Sequence, residues 1–403
     1  MPWFVPYTML DPDQREFVDD NETKIFNING YAGTGKSVVL VHKLIKIFDE
    51  NPNAKCCIIS FTHALLEMFK LGIEESGKLT NRNSNQINKC TGEIGKIDLV
   101  TKYEFRKNLH SSTPVKYDFI MVDEVQDLCV SDIENIVKSL ATNIYLGGDE
   151  NQSIYLEDPQ DKEPTLKSGQ LKSIIKSNDK SLVTLYRITP SILDVAKLIM
   201  PELQNKLGEI RFGHNRNADV ILAHSEIEKD EVTYVYENAL TYAEDIELTA
   251  ILFPKHDWVK DFCLHVLKIN NVQIDPNIEA HLKNRRYTEL NRIFSENNIR
   301  LEYVGNEHGS FRHAKDNHNV VLMTYHSAKG MDFDNVFLPF LSSSRHERFS
   351  FFLPKPLMVA LTRSNLNLTL SYSGESMACI DAIRDVCVSI DIDSDDSLDF
   401  LDF

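Results

Sequence analysis

From residue 24 to residue 146 the chain alternates short apolar runs with amphipathic stretches. Lys24-Ile25-Phe26-Asn27-Ile28-Asn29 reads as a strand, and Ser37-Val38-Val39-Leu40-Val41 opens an apolar helix that runs to about Glu50. Cys56-Cys57-Ile58-Ile59-Ser60 predicts a buried strand, and Ala64 to Leu71 a helix. The stretch from Gly72 to Lys96 is polar and Asn-rich with little periodicity, so it is expected as an insertion. Asp98-Leu99-Val100 and Tyr117-Asp118-Phe119-Ile120-Met121-Val122 predict further strands, Asp132 to Leu140 a helix, and Ile144-Tyr145-Leu146 another strand. Such β/α alternation implies a parallel sheet with helices on both faces.

A polar segment, Glu157 to Ser168, separates this half from a second alternating region running from about Leu182 to Val386. Its apolar strands include Thr249-Ala250-Ile251-Leu252-Phe253, Val320-Val321-Leu322-Met323 and Val336-Phe337-Leu338. The charged stretch from Asn271 to Asn319 is expected to hold one helix, Ile278 to Phe294. The expected domains are residues 1–183 with a short insertion at 72–97, residues 184–388 with a short insertion at 271–319, and an acidic C-terminal tail at 389–403.

Composition adds limits. At 403 residues, 42% apolar and 26% charged, the chain has the make-up of a soluble globular protein with ample core. No run of about eighteen apolar residues predicts a membrane span. The seven cysteines form no Cys-x-x-Cys, so reduced core thiols in a cytoplasmic protein are expected, and the histidines show no metal spacing. A net charge of −17 argues against a surface broadly coated for nucleic acid. The charge is uneven, however: between Thr62 and Tyr117 nine Lys/Arg face six Asp/Glu, which leaves room for a narrow basic track.

The first chemistry lies between the first strand and its helix. Gly30-Tyr31-Ala32-Gly33-Thr34-Gly35-Lys36-Ser37 fits the phosphate-binding loop pattern without a mismatch, in the strand-to-helix context that pattern requires. Three glycines within six residues let successive N–H groups and the helix N-terminus point at phosphate oxygens. Lys36 is then placed for the β/γ-phosphates and Ser37 for Mg²⁺, so ATP and Mg²⁺ are the expected cofactors. The strand ending at Val122 carries Asp123 and Glu124 at its tip. Asp123 suits a metal ion reached through water, and Glu124 suits the base that polarises the attacking water.

With the residues downstream, the chain resembles a superfamily 1 helicase of the UvrD/Rep type. Leu10-Asp11-Pro12-Asp13-Gln14, Ser60-Phe61-Thr62-His63-Ala64, Asp123-Glu124-Val125-Gln126-Asp127 and Gly148-Asp149-Glu150-Asn151-Gln152-Ser153-Ile154-Tyr155 match its motifs in order. Tyr186-Arg187, Met323-Thr324-Tyr325-His326-Ser327-Ala328-Lys329-Gly330-Met331-Asp332-Phe333 and Val359-Ala360-Leu361-Thr362-Arg363 complete the set. The resemblance implies an α/β fold of two RecA-like P-loop NTPase lobes with ATP in the cleft between them. It assigns catalytic roles to Lys36, Glu124, Gln152, Arg187 and Arg363, the two arginines stabilising charge on the transferred phosphoryl. The nucleotide would be held by Gln14, Gly30, Gly33, Thr34, Gly35, Lys36, Ser37, Tyr186 and Asp332, with Gln14 reading adenine, Tyr186 stacking on it and Asp332 on the ribose. Ser37 and Asp123 would hold the metal, and Thr62, His63, Thr101, Thr324 and His326 would contact the strand.

The expected activity is ATP-driven translocation on single-stranded DNA, or RNA, with 3′-to-5′ polarity. The alternative is a DNA-stimulated ATPase subunit that switches a partner nuclease or a defence or repair complex without unwinding alone. A catalytically dead scaffold has no chemical need for the five catalytic residues. Two departures favour the alternative: Leu156-Glu157-Asp158 stands where the family supplies a base-stacking aromatic, and both insertions are short. The end of the chain, from Asp391 to Phe403, carries six Asp among Leu398, Phe400, Leu401 and Phe403. That acidic–apolar pattern is similar to the tips of bacterial single-strand-binding proteins and suggests docking on a basic surface, of a protein partner or of the chain itself.

Overall fold

The structure is a computed structural model. It describes residues 4–61, 63–77, 86–87, 89–139, 141–149, 153, 158, 162–167, 169–201, 210–214, 216–244, 248–305, 308–347 and 354–393. The chain divides into two compact units, Met1–Tyr186 with Gly208–Gly213, and Arg187–Leu207 with His214–Phe403.

The strands of the first unit are β1 (Ile25–Gly30), β2 (Cys56–Ser60), β3 (Gln86–Ile87), β4 (Ile97–Thr101), β5 (Tyr117–Val122), β6 (Ala141–Gly148) and β7 (Asn178–Leu182). They form one sheet in the order β3-β4-β2-β5-β6-β1-β7, with every neighbouring pair parallel. All-parallel pairing needs crossover connections and puts helices on both faces. One face is covered by α1 (Pro12–Asp19), α2 (Lys36–Glu50) and α3 (His63–Glu75), whose apolar sides join Phe26, Ile28, Ile58 and Met121 in one core. The other face is covered by α4 (Lys102–Leu109) and α5 (Val130–Ser139), with Phe105, Ile133 and Ile136 against Ile59, Val100, Ile120 and Val122. A short parallel pair, β8 (Thr184–Leu185) and β9 (Arg211–Phe212), also belongs to this unit.

The second unit repeats the plan. Its strands are β10 (Val220–Ser225), β11 (Thr249–Phe253), β12 (Leu301–Tyr303), β13 (Val320–Thr324), β14 (Phe333–Leu338), β15 (Ser364–Ser373) and β16 (Val388–Asp391), in the order β12-β13-β11-β14-β15-β10-β16, again all parallel.

Four details differ from the sequence reading. The strand β7 has four of its five residues polar and stands at the sheet edge, where hydrophobic alternation is not required. The helix expected across 278–294 is two helices, Pro276–Lys283 and Tyr287–Glu296, broken where Arg285 takes a φ of 55°. Leu282, Tyr287, Leu290, Phe294, Leu301 and Tyr303 from that charged stretch pack into the core of the second unit, and β12 forms its sheet edge. Within the expected 72–97 insertion, α3 continues to Glu75, and Asp98 holds the chain at Thr91 and Gly92 through their N–H groups, both at 2.8 Å.

The start of the acidic tail is likewise folded. β16 pairs with β10, and Asp393 accepts from Ser225 Oγ at 3.0 Å and Glu226 N at 2.7 Å. Residues 394–403 lie outside the described residues. All seven cysteines are free, and no helix among the described residues is long and apolar enough to cross a membrane.

Candidate nucleotide site

The first unit brings the glycine-rich loop after β1 next to the acids after β5, at the C-terminal ends of both strands. Gly33 and Gly35 have φ of 79° and 83°, the left-handed region, and Gly35 is the N-cap of α2. A Cβ on Gly30 would lie 2.5 Å from Thr34 Oγ1 and 3.2 Å from Leu182 O, so Gly30 is needed for space, while Gly35 needs glycine for its backbone conformation. Lys36 Nζ donates to the carbonyls of Gly30 at 2.7 Å and Tyr31 at 3.0 Å, which folds the ammonium back over its own loop.

Ser37 follows in the first turn of α2 and donates from Oγ to Asp123 Oδ2 at 2.8 Å, a contact across 86 residues of sequence. The other carboxylate oxygen, Asp123 Oδ1, is buried and has no hydrogen-bond partner. Burial pushes the Asp123 carboxyl up and the neighbouring Glu124 charge adds to this, while the Ser37 hydroxyl and the Lys36 charge oppose it. An orphaned buried carboxylate oxygen beside a hydroxyl is the donor set a hard cation takes, so these residues fit Mg²⁺. Glu124 is also buried and has a φ of 56°. The left-handed turn ends the strand and starts the short 3₁₀ turn Val125–Asp127.

A second layer brackets the loop. Asp11 and Gln14 form a capping box at the start of α1, with Gln14 N donating to Asp11 Oδ1 at 2.8 Å and Asp11 N to Gln14 Oε1 at 3.1 Å. Gln14 Nε2 then donates to Thr34 O at 3.0 Å, which ties α1 to the phosphate loop. Tyr186 N donates to Gly33 O at 2.9 Å, and Tyr186 Oη donates to Asp11 Oδ2 at 2.7 Å. A Cβ on Gly213 would lie 2.4 Å from the Tyr186 ring, so only glycine fits under it. Gln14, Gly30, Gly33, Thr34, Gly35, Lys36, Ser37, Asp123, Glu124 and Tyr186 are therefore brought together.

The second unit holds the other candidates. Arg187 forms an ion pair with Asp332 through Nη1 and Oδ2. Arg363 is buried, its guanidinium donating to Val359 O at 2.9 Å, Met331 O at 3.1 Å and Thr362 Oγ1 at 3.1 Å. Arg187, Asp332 and Arg363 thus meet around Met331–Phe333. Thr324, also buried, ends β13 and accepts from Ser327 N at 3.2 Å. His326 follows it, with burial and then Lys329 pushing the imidazole below its ordinary range.

In the first unit, His63 is exposed at the start of α3, whereas Thr101 is buried and caps α4 through Glu104 N at 3.3 Å. Thr62 and Gln152 lie outside the described residues. Sequence reasoning gave no role to Asp11, although Asp-x-x-Gln ahead of a helix is a readable capping signal. Gln126, whose side chain lies against Glu124, was matched only as part of the Asp123–Asp127 motif and was given no role of its own.

Two all-parallel sheets, each flanked by helices, define a protein of two RecA-like lobes. Residues 14–158 match the AAA domain family. The structure of Mss116p (NTE and C-tail double deletion) bound to ssRNA and AMP-PNP is similar over 95% of this chain and 74% of that one, with 14% identity and a TM-score of 0.54. The structure of PRRSV helicase aligns with 90% of this chain at 11% identity and a TM-score of 0.43. The chain spans 54% of that helicase's length. No curated protein matches the chain in sequence.

Proposed function

We propose that the chain is an ATP-driven motor on single-stranded nucleic acid, a translocase or helicase that moves 3′ to 5′ on DNA. The observation that carries this is the meeting of Ser37, Asp123 and Glu124 under a complete phosphate loop. Lys36 binds the β/γ-phosphates, and Ser37 and Asp123 would hold Mg²⁺, which when bound neutralises charge on those phosphates. Glu124 takes the proton of the attacking water. Gln152, Arg187 and Arg363 are assigned to the transferred phosphoryl, Gln14 and Tyr186 to adenine, and Asp332 to the ribose. Thr62, His63, Thr101, Thr324 and His326 are assigned to the strand. ATP hydrolysis by the full chain is expected to rise with single-stranded DNA or RNA, and a rate that neither polymer changes argues against the motor. In a streptavidin-displacement assay, release only in the 5′-to-3′ direction would refute the polarity.

The alternative, a nucleic-acid-stimulated ATPase subunit of a larger complex, is favoured by one observation. Asp158, the last residue of the Leu156–Asp158 stretch where a stacking aromatic is expected, is fully buried and pairs with Lys102 at 2.7 Å. Base stacking is worth about 1–3 kcal/mol per base, so its loss weakens the grip on single strands.

The acidic–apolar end is assigned to a basic surface, on a partner or on the strand-binding track. Because Asp391 and Asp393 belong to the fold, the test removes residues 394–403 only. Self-occlusion predicts tighter single-stranded DNA binding at low salt, with a smaller gain at high salt. Equal affinities at both salts would leave only a partner or a solubilising role.

A further inference from the structure

Gln126 lies between two parts of the first unit that meet only in space. It sits in the 3₁₀ turn after Glu124, and Gln126, Glu124 and Asp149 are all buried. Its Nε2 donates to Glu124 Oε2, and its Oε1 accepts from Asp149 N at 3.0 Å. Both ends of the amide are thus used, and only one orientation works. Flipping the amide would set its oxygen against a carboxylate oxygen and its NH₂ against an N–H, two repulsions in a buried place. The approach also needs Gly148, where a Cβ would lie 2.7 Å from Gln126 Oε1 and 2.6 Å from Val125 Cγ1. Asp149 is the first residue after β6, so the amide keys the Glu124 carboxylate to the backbone that leaves the neighbouring strand.

We infer that Gln126 is a positioning residue for ATP hydrolysis: it holds the Glu124 carboxylate in the one orientation from which it takes the proton of the attacking water. This rests on the hydrolytic reading of Glu124 given above. Gln126 itself touches no nucleotide in this role. Its effect falls on turnover, because a carboxylate displaced by about 1 Å can cost on the order of a hundredfold in rate while the phosphate loop binds as before.

The test uses the full chain and compares Gln126→Leu, Glu124→Gln and the double variant. The readouts are kcat and KM for ATP, affinity for a non-hydrolysable ATP analogue, and melting temperature. Gln126→Leu is expected to lower kcat by about tenfold or more, with analogue affinity and KM within about twofold of the parent. In the Glu124→Gln background the same change is expected to have no further effect, since the group it positions is already lost. A kcat within twofold of the parent overturns the inference, and so does an equal loss in both backgrounds. A parental rate in Glu124→Gln alone defeats the assignment of the base, a different result from either. Should Gln126→Leu fail to fold, Gln126→Met, which keeps the unbranched length, carries the same comparison. Failure of both to fold would show the amide to be a structural requirement and overturn the positioning role.

Discussion

Glu124→Gln is expected to bind ATP as the parent does and to turn it over about 10²- to 10⁴-fold more slowly, whereas Lys36→Ala is expected to lose nucleotide binding itself. The two residues sit in one site and act on different quantities. Lys36 caps the loop through the Gly30 and Tyr31 carbonyls, and its charge is the one ammonium of the phosphate-loop motif placed for the β/γ-phosphates. Removing it takes away attraction felt by bound substrate and transition state alike, so affinity falls. Glu124 stands two residues beyond the end of β5, and replacing one carboxylate oxygen by NH₂ keeps its shape while removing its basicity. A general base contributes about 10²- to 10⁴-fold, which sets the size of the effect. Equilibrium binding of a fluorescent ATP analogue, paired with a phosphate-release assay, separates the two. Parental turnover in Glu124→Gln would remove Glu124 from the chemistry.

The second large effect is on stability. Asp158→Ala is expected to destabilise the first unit by about 3–5 kcal/mol, because it strands a buried ammonium. Lys102 Nζ lies 2.7 Å from Asp158 Oδ2 with both side chains essentially inaccessible to water. The same ammonium donates to Asp127 O at 3.2 Å and lies 4.3 Å from the Phe61 ring centroid. Arg106 stands beside the pair, bonded to Asp132 at 2.9 Å through Nη2 and 3.4 Å from Asp158. The double variant Lys102→Met/Asp158→Leu removes both charges at similar volume, and is expected to recover most of the loss. Chemical denaturation of the three proteins decides it: a double variant no more stable than Asp158→Ala would mean that packing around the pair, rather than the uncompensated charge, sets the cost. The cluster ties Phe61 and α4, beside the assigned strand contacts, to Asp127 at the end of the acidic motif.

Much of the candidate site was readable because phosphate binding is a local problem. Gly30 to Ser37 are consecutive, the left-handed conformations fall on glycines, and the strand before and helix after them show their own periodicities. The acids after β5 were readable for the same reason, as polar residues at the tip of an apolar strand. The boundaries failed where local signals were weak. Polar β7 gains its place by pairing with β1 and packing on α1, and the charged stretch 271–319 hides apolar residues that only the folded unit gathers into its core.

The chain's own order of residues determined the phosphate loop, the carboxylates beside it and the two rounds of β/α alternation, since each rests on spacing within about twenty residues. Tertiary structure decided which polar groups meet. Asp11 and Tyr186 are 175 residues apart, Ser37 and Asp123 are 86, and Gln126 reaches the backbone of Asp149 across 23. It also decided that Asp158 and Lys102 are buried, though Asp158 sits in a polar segment and Lys102 in the region read as a basic track. Periodicity encodes which face of an element is apolar, because burial rewards every residue on that face. A hydrogen bond or ion pair rewards only two atoms, and their separation along the chain is set by the crossover connections of the sheet.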